Sequence, residues 1–508
     1  MAMDPAPSAV SNKLFNPTLW LVILLLLAAA LRLFDISDEP FELHPTRQFR
    51  ALIIARGFYY PTADNIPADK VEFARAQAGQ VGLIEPSILE FLTAQLYKLV
   101  GGEVTWIGRM IPITAWLLGG LAVFALSRQI GSNLAAFISL SYYLFLPFGT
   151  GLSRVLMVDP IMTAGTAASL WALYLWSQRQ ETRFAVIAGL LTGVTILLKS
   201  VSGIILIVPF ALFLLTAFPI KELLKNRQVW LIFLLAALPS AAWYYYGLVI
   251  DGRLKTQFKG RFFPEIWTDI TFFKSWGVRI IREFNLLAFG AALFGFLLAK
   301  SKPLRLLLFG WWAGYFIYGM VFAYYTWTHD YYHLPMVPLT AVSLAPTIVF
   351  LENLLKNKSE GRWAAIAAGG ICASMVIFGG MKSIQFLSET DFRDTRAGLE
   401  QLGGEIASLP PGTVIGLTND YETSFSFYTF QNAVHWPTTG DLNFRELQGS
   451  SETDFEQRWQ LTDDAAYFFI TDFSQLEKQP LLAERLVNFR LVSETEIFSL
   501  YELSSNSP

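Results

Sequence analysis

The chain has 508 residues, 53% of them hydrophobic and 15% aromatic, with 16% charged and a formal net charge of −3. About a quarter of a soluble globular protein is charged, so this composition excludes an ordinary soluble enzyme. The charge is also divided: residues 391–508 hold 19 acids against 7 bases, leaving 22 acids against 31 bases before them. That split predicts a basic membrane body followed by an acidic, water-soluble region.

A bilayer is crossed by apolar runs of ~20 residues, because every backbone polar group in lipid must be bonded within its own helix. About eleven such runs are expected, at 17–34, 106–128, 132–150, 160–177, 184–199, 201–219, 229–250, 284–299, 305–325, 333–353 and 363–381. Alternate connections hold Arg128; Arg179 and Arg183; Lys221, Lys225 and Arg227; Lys300, Lys302 and Arg305; Lys356, Lys358 and Arg362. The intervening short connections hold Arg154, Lys199 or no base. Positive loops stay in the cytoplasm, so the amino terminus is expected inside and the carboxyl terminus outside. The expected fold is an α-helical polytopic membrane protein with a small α/β soluble region. Residues 1–16 form a cytoplasmic tail, 17–384 the membrane body and 385–508 the exported region. No cleavable signal peptide is expected.

Under this topology the long polar segments, 35–105 and 251–282, face outward. Helical apolar spacing predicts surface helices at 47–60 and 86–100. In the exported region a helix is predicted over 395–407, strands over 414–418 and 466–471, a helix over 481–487, and a closing strand pair at 489–493 and 497–503. It carries no Gly-rich phosphate loop, so no nucleotide site is expected there. The single cysteine, Cys372, excludes an internal disulfide.

The expected spans are almost free of charge at mid-depth, which argues against an ion-coupled carrier. Charges gather instead at the outer helix ends: Asp38, Glu39, Glu42, His44 and Arg47; Arg154 and Asp159; Lys199; His329, Asp330 and His333. A carboxylate can take a proton from an attacking hydroxyl, and a guanidinium can hold phosphate oxygens in a bidentate grip. A flank of solvated charges beside a span is an equal reading of the first cluster. Arg154 and Asp159 suit mutual pairing as well as site duty. His329 and His333 are four apart with Asp330 between them, a spacing that would allow a divalent metal, although hydrogen bonding is the commoner use of such a pair. Glu85, before Pro86, fits a helix amino terminus or a substrate contact. Arg253, Lys255, Lys259, Arg261 and Lys274 make the 251–282 loop basic, for a lipid phosphate or for anionic head groups. Trp311, Trp312 and Trp327 are expected in packing or at interfaces.

Several of these segments together resemble the GT-C glycosyltransferases, in the family 39 branch of protein O-mannosyltransferases and lipid A aminoarabinose transferases. The resemblance runs through Arg47-Gln48 and Ala55-Arg56-Gly57-Phe58-Tyr59, then Glu85-Pro86 and Leu96-Tyr97-Lys98-Leu99-Val100-Gly101. It continues in Ser153-Arg154, Met157, Asp159-Pro160, Leu198-Lys199, His329-Asp330-Tyr331-Tyr332-His333 and Pro335, covering roughly residues 17–350. It implies an inverting transfer of a sugar from a polyprenyl phosphate to an acceptor hydroxyl on a lipid, protein or polysaccharide, with Arg47 and Lys199 holding the phosphate. The family often has acids flanking the Arg-Gln region, where this chain has His44 and Arg50. The resemblance then leaves Asp38, Glu39 or Glu42 as the base, Glu42 first because it lies nearest Arg47 in sequence. A lipid or glycan flippase is the alternative, and a scaffold with an acidic binding tail a third. Membrane lipids are expected partners and nucleic acid is not. No cofactor is required by the sequence, and a bacterial plasma membrane is the expected location.

Overall fold

The computed structural model describes residues 16–503 apart from 83, 256–260, 357–361, 390 and 450–453. The tail at 1–15, Lys259 and Lys358 lie outside the described residues. Each of the eleven apolar segments is helical, and the chain is an integral membrane protein. By length and apolarity, however, five described helices suffice to cross a membrane, or six if the pair Ile270–Glu283 and Leu286–Leu298, bent by 105°, counts as one. Four others, Pro17–Leu33, Asn133–Phe145, Thr182–Leu198 and Ser202–Ala217, are shorter apolar helices, and Val158–Arg179 has the length of a span at 22 residues.

Asn133–Phe145 is cut short at a proline. Leu146, which precedes a proline, is pushed into an extended conformation (φ −62°, ψ 122°), and Pro147 opens a new six-residue helix at Pro147–Leu152. Thirteen helical residues reach only ~20 Å, against a hydrocarbon core of ~30 Å. The carbonyl of Leu144, stranded by the break, accepts from Arg32 Nη2 at 3.0 Å, while Arg32 Nε donates to Ser153 Oγ at 2.7 Å. A buried arginine thus mends the ladder that the proline interrupts.

The helix Met336–Lys356 is the hub. Of its best apolar stretch 78% is enclosed, against 17% for the peripheral Arg227–Ile250, and it packs on Leu286–Leu298, Asn133–Phe145 and Met110–Ile130. Leu287, Ile207, Phe233 and Phe378 point outward, a stable arrangement only where the surrounding medium is lipid.

The first long loop holds three helices, Pro45–Tyr59, Ala68–Gln80 and Ile88–Val100. The middle one is polar and without an apolar stripe, so periodicity does not reveal it. It lies so close to Pro45–Tyr59 that a Cβ on Gly57 would sit 2.5 Å from the Ala78 Cβ.

After the long helix Arg362–Ser388 comes a five-stranded sheet of order β2-β1-β3-β5-β4, built from β1 (Thr413–Leu417), β2 (Val434–His435), β3 (Ala465–Ile470), β4 (Arg490–Glu494) and β5 (Ser499–Glu502). β1 runs parallel to β2 and β3, and β5 antiparallel to β3 and β4. This region is bolted to the first loop. Arg393 meets Asp35 at 2.6 Å, Arg396 meets Glu39 at 2.9 Å, and Tyr428 donates to Glu39 at 2.6 Å. Arg56 donates to the Phe427 carbonyl at 2.6 Å, lies 3.6 Å from the centre of the Phe427 ring, and pairs with Glu103 at 2.9 Å.

Within the cap, His435 sits between Glu422 and Asp441, 3.0 Å from each. Burial alone would lower its pKa, but hydrogen bonds to Asp441 and Glu422 outweigh that and push it up to about 9. Burial holds Glu422 itself up at about 7 despite the histidine, so Asp441 is the principal anionic partner. Asp441 also closes a capping box with Thr438, which fixes the helix Thr439–Leu447 and delivers Phe444 to within 4.9 Å of Tyr324.

Two outcomes follow. Arg56→Ala leaves Glu103 without its counter-charge, with the Tyr60 hydroxyl still donating to it at 2.8 Å, and is expected to cost about 3 kcal/mol, read as a lower melting temperature and as faster proteolytic release of the sheet. A histidine whose folded pKa lies above its unfolded value stabilises fully below the unfolded value and loses that contribution as pH rises through the folded one. The melting gap between wild type and His435→Gln should therefore be widest below about 6.5, the free histidine value, and close as pH passes about 9.

Candidate functional site

A cavity of ≈ 420 Å³ opens at the polar end of the bundle, where the Pro45–Tyr59 helix, residues 84–86, 197–201 and 321–332, and Tyr244, Leu254, Arg261 and Phe262 meet. Of the residues expected in the site, Arg47, Glu85, Lys199 and His329 line it together.

Each arrives there for a local reason. His44 adopts a left-handed conformation (φ 51°) and Pro45 starts the helix, so Arg47 falls in the first turn. Gln48 beside it is fully buried; it donates to the Leu43 carbonyl at 2.7 Å and accepts from the Leu156 N–H at 3.1 Å, which clamps the loop to the membrane body. Lys199 caps the helix Thr182–Leu198 in an extended conformation, and its ammonium meets Asp159, in the first turn of Val158–Arg179, at 2.5 Å. That ammonium also lies 5.0 Å from the ring centres of both Tyr331 and Tyr332.

Arg47 donates to Glu85 at 2.9 Å, with Arg50 at 4.0 Å from the same carboxylate. Burial by itself would raise the Glu85 pKa, but Arg47, Lys199 and Arg50 outweigh it and hold the carboxyl below its usual range. Burial pulls His329 down to about 4, helped by the positive surroundings, so it is neutral at pH 7. Arg47, Lys199 and Arg261 among the lining residues are cationic and Glu85 is anionic, with Asp159 beneath Lys199.

The other expected residues go elsewhere. Glu42 is not beside Arg47: its carboxylate pairs with Arg109 at 3.1 Å, both groups being buried. Asp38 accepts from the Phe392 N–H at 3.1 Å, and Glu39 is held by Arg396 and Tyr428. These three carboxylates stand nearest Arg47 in sequence, yet the turn at 35–43 points them at the cap and at Arg109. Arg154 and Asp159 do not pair with each other. Arg154 donates to the carbonyls of Phe34 and Asp35, both at 2.8 Å, and so closes the end of the first helix. His333 has both ring nitrogens engaged, with the Tyr315 hydroxyl at 2.7 Å and the Thr326 carbonyl at 2.9 Å, so the 329/333 spacing makes no chelate. Among the described residues no group of three His, Cys, Asp or Glu side chains is placed to hold a metal. His44 and Asp330 pair at 2.7 Å beside the cavity.

The sequence reading missed the aromatic wall of Tyr244, Tyr325, Tyr331 and Tyr332. Its visible signal was the Tyr331-Tyr332 pair inside the histidine motif. Arg261, one of several bases in its loop, is singled out by position alone. A second hollow, of ≈ 470 Å³ and lined by Phe58, Ile88, Phe91, Leu92, Trp243 and Tyr246, lies against the same three segments: Ser87 follows Pro86, Trp243 precedes Tyr244, and Arg253 precedes Leu254.

Residues 85–246 match the family model described as dolichyl-phosphate-mannose-protein mannosyltransferase, a stretch that contains Glu85, Asp159, Lys199 and Tyr244. Among the solved structures that share the fold are two of distant sequence. One is ArnT from Cupriavidus metallidurans, bound to undecaprenyl phosphate, 14% identical with a TM-score of 0.59 over 96% of this chain and 99% of that one. The other is the Archaeoglobus fulgidus oligosaccharyltransferase, in complex with zinc and sulfate, 13% identical with a TM-score of 0.52 over 89% of this chain and 68% of that one. No curated protein matches the chain. The chain thus resembles the GT-C glycosyltransferases and has their helical membrane fold.

Asp159→Asn would strand the buried Lys199 ammonium, with an expected loss of roughly 3–5 kcal/mol. The double substitution Asp159→Asn with Lys199→Met should recover most of it, as thermal melts of the four proteins in one detergent would show.

Proposed function

We propose that this chain is an inverting glycosyltransferase that moves a sugar from a polyprenyl phosphate to an acceptor hydroxyl. The observation that carries the reading is the pairing of a cationic, tyrosine-walled cavity with an apolar hollow against the same chain segments. A lipid-linked donor needs both: a pocket for its charged head and an apolar track for its tail.

The cationic side chains of the cavity suit a phosphodiester donor, which carries one negative charge. When the bond to the sugar breaks, the phosphate gains a second charge, and cations held in a water-poor site stabilise that change more than they do the ground state. Arg47 can offer a bidentate grip once it turns from Glu85, while Lys199 acts as a point charge fixed by Asp159. The four tyrosines supply flat faces and hydroxyls for the sugar. Phe58, Phe91, Leu92 and Trp243 would hold the first isoprene units. The bias of bases among the short loops supports placing this end of the bundle on the extracytoplasmic side, in a bacterial plasma membrane. The acceptor hydroxyl belongs to a lipid, protein or polysaccharide that approaches beneath the cap.

The test is release of radiolabelled undecaprenyl phosphate from a panel of undecaprenyl-phosphate hexoses and pentoses, by protein in nanodiscs with a crude acceptor fraction. Arg47→Ala and Lys199→Ala should each lower kcat by about 10²–10³-fold, as loss of a charge-stabilising donor does elsewhere. Release that continues undiminished in both variants would remove the cavity from the reaction.

A further inference from the structure

An inverting displacement has two ends. The phosphate leaves on one side of the anomeric carbon, and the acceptor oxygen enters on the other and must lose its proton there. With the cavity cations on the phosphate side, the base has to stand away from them. Among the carboxylates expected to serve, Asp38, Glu39 and Glu42 are tied into the cap and to Arg109. Glu85 stands among the phosphate cations and is held ionised by them, which makes it a poor proton acceptor. Asp159 is covered by Lys199.

The His44–Asp330 pair has the required position. His44 immediately precedes the helix that carries Arg47, and its ring is nearly perpendicular to that of Tyr331, 4.7 Å between centres, while the Lys199 ammonium lies 5.0 Å from the centre of the same ring. Just beyond it, Thr46 Oγ1 reaches the Asn419 carbonyl of the cap at 3.5 Å. The imidazole therefore lies at the seam between cavity wall and cap, where an acceptor would enter. Its Nε2 is 2.7 Å from Asp330 Oδ1, its side chain is 22% exposed, and its Nδ1 has no hydrogen-bond partner among the described residues.

Building on the transferase reading, we propose that His44 is the general base of the reaction, with Asp330 as its positioning residue. Nε2–H donates to Asp330, which fixes the tautomer and leaves the Nδ1 lone pair open. Nδ1 takes the proton of the acceptor hydroxyl, the hydroxyl oxygen bonds to the anomeric carbon, and the carbon–oxygen bond to phosphate breaks with its electron pair passing to the phosphate. Asp330 then stabilises the imidazolium. The charged and titratable groups around this pair are Tyr331 and His329 on the 329–333 turn, Arg47 on the helix that follows His44, and Arg279 and Glu283 of Ile270–Glu283, both of which interact electrostatically with Asp330.

The test uses full-length protein in nanodiscs and whichever undecaprenyl-phosphate sugar the wild type turns over. His44→Gln should lower kcat by about 10²–10³-fold while the affinity for undecaprenyl phosphate stays within about threefold. His44→Gly should regain activity with added imidazole, which also guards against a folding defect. Asp330→Asn should lower kcat by about tenfold and move the acid limb of kcat/KM to lower pH, because the imidazolium loses its counter-charge. The base assignment falls if His44→Gln keeps most of its kcat, if undecaprenyl phosphate binding is lost along with kcat, or if the acid limb ignores Asp330→Asn. A wild type that releases no undecaprenyl phosphate from any donor overturns the transferase reading, and the base with it.

Discussion

A charge taken out of water must find a partner, since an unpaired buried ion costs several kcal/mol. At the polar end of this bundle that constraint decides the architecture. Arg32, Arg56, Arg109, Arg154 and Lys199 are all buried, and each is answered by a carboxylate or a backbone carbonyl from a distant part of the chain. These pairings join the first helix, the first long loop, the turn at 153–157 and the sheet into one body. The acids at Asp38, Glu39 and Glu42 are fastenings in that body.

Once those groups are assigned, the cavity residues differ from them in kind. Arg47 and Glu85 keep part of their side chains open at 18% and 14% exposure, and Lys199 forms a wall of the cavity while resting on Asp159. An ion pair left partly open in this way can exchange one counter-charge for another, which is what the proposed phosphate chemistry would require. Tyr331 is in contact with both the Lys199 ammonium and the His44 ring. The cap meets the rim of the cavity through Phe444 against Tyr324 and Thr46 against Asn419.

Apolar length announced the eleven helical segments and the break at Lys199, but not the one at Pro147, which ends a helix inside an otherwise continuous apolar stretch. Arg47, Glu85, Lys199 and His329 could be picked out because each is a polar residue at the end of an apolar or amphipathic run. The tyrosines could not, since an aromatic near a membrane boundary is ordinary in any such protein.

By itself, the sequence determined that this is a membrane protein with its charges gathered at one level, because apolar length and charge position are local properties of the chain. Only the tertiary structure decided which of those charges are spent on one another. Glu42 lies five residues from Arg47 yet pairs with Arg109, and His44 lies 286 residues from the Asp330 that orients it. Pairing depends on distance in space and on burial, and neither follows from separation along the chain.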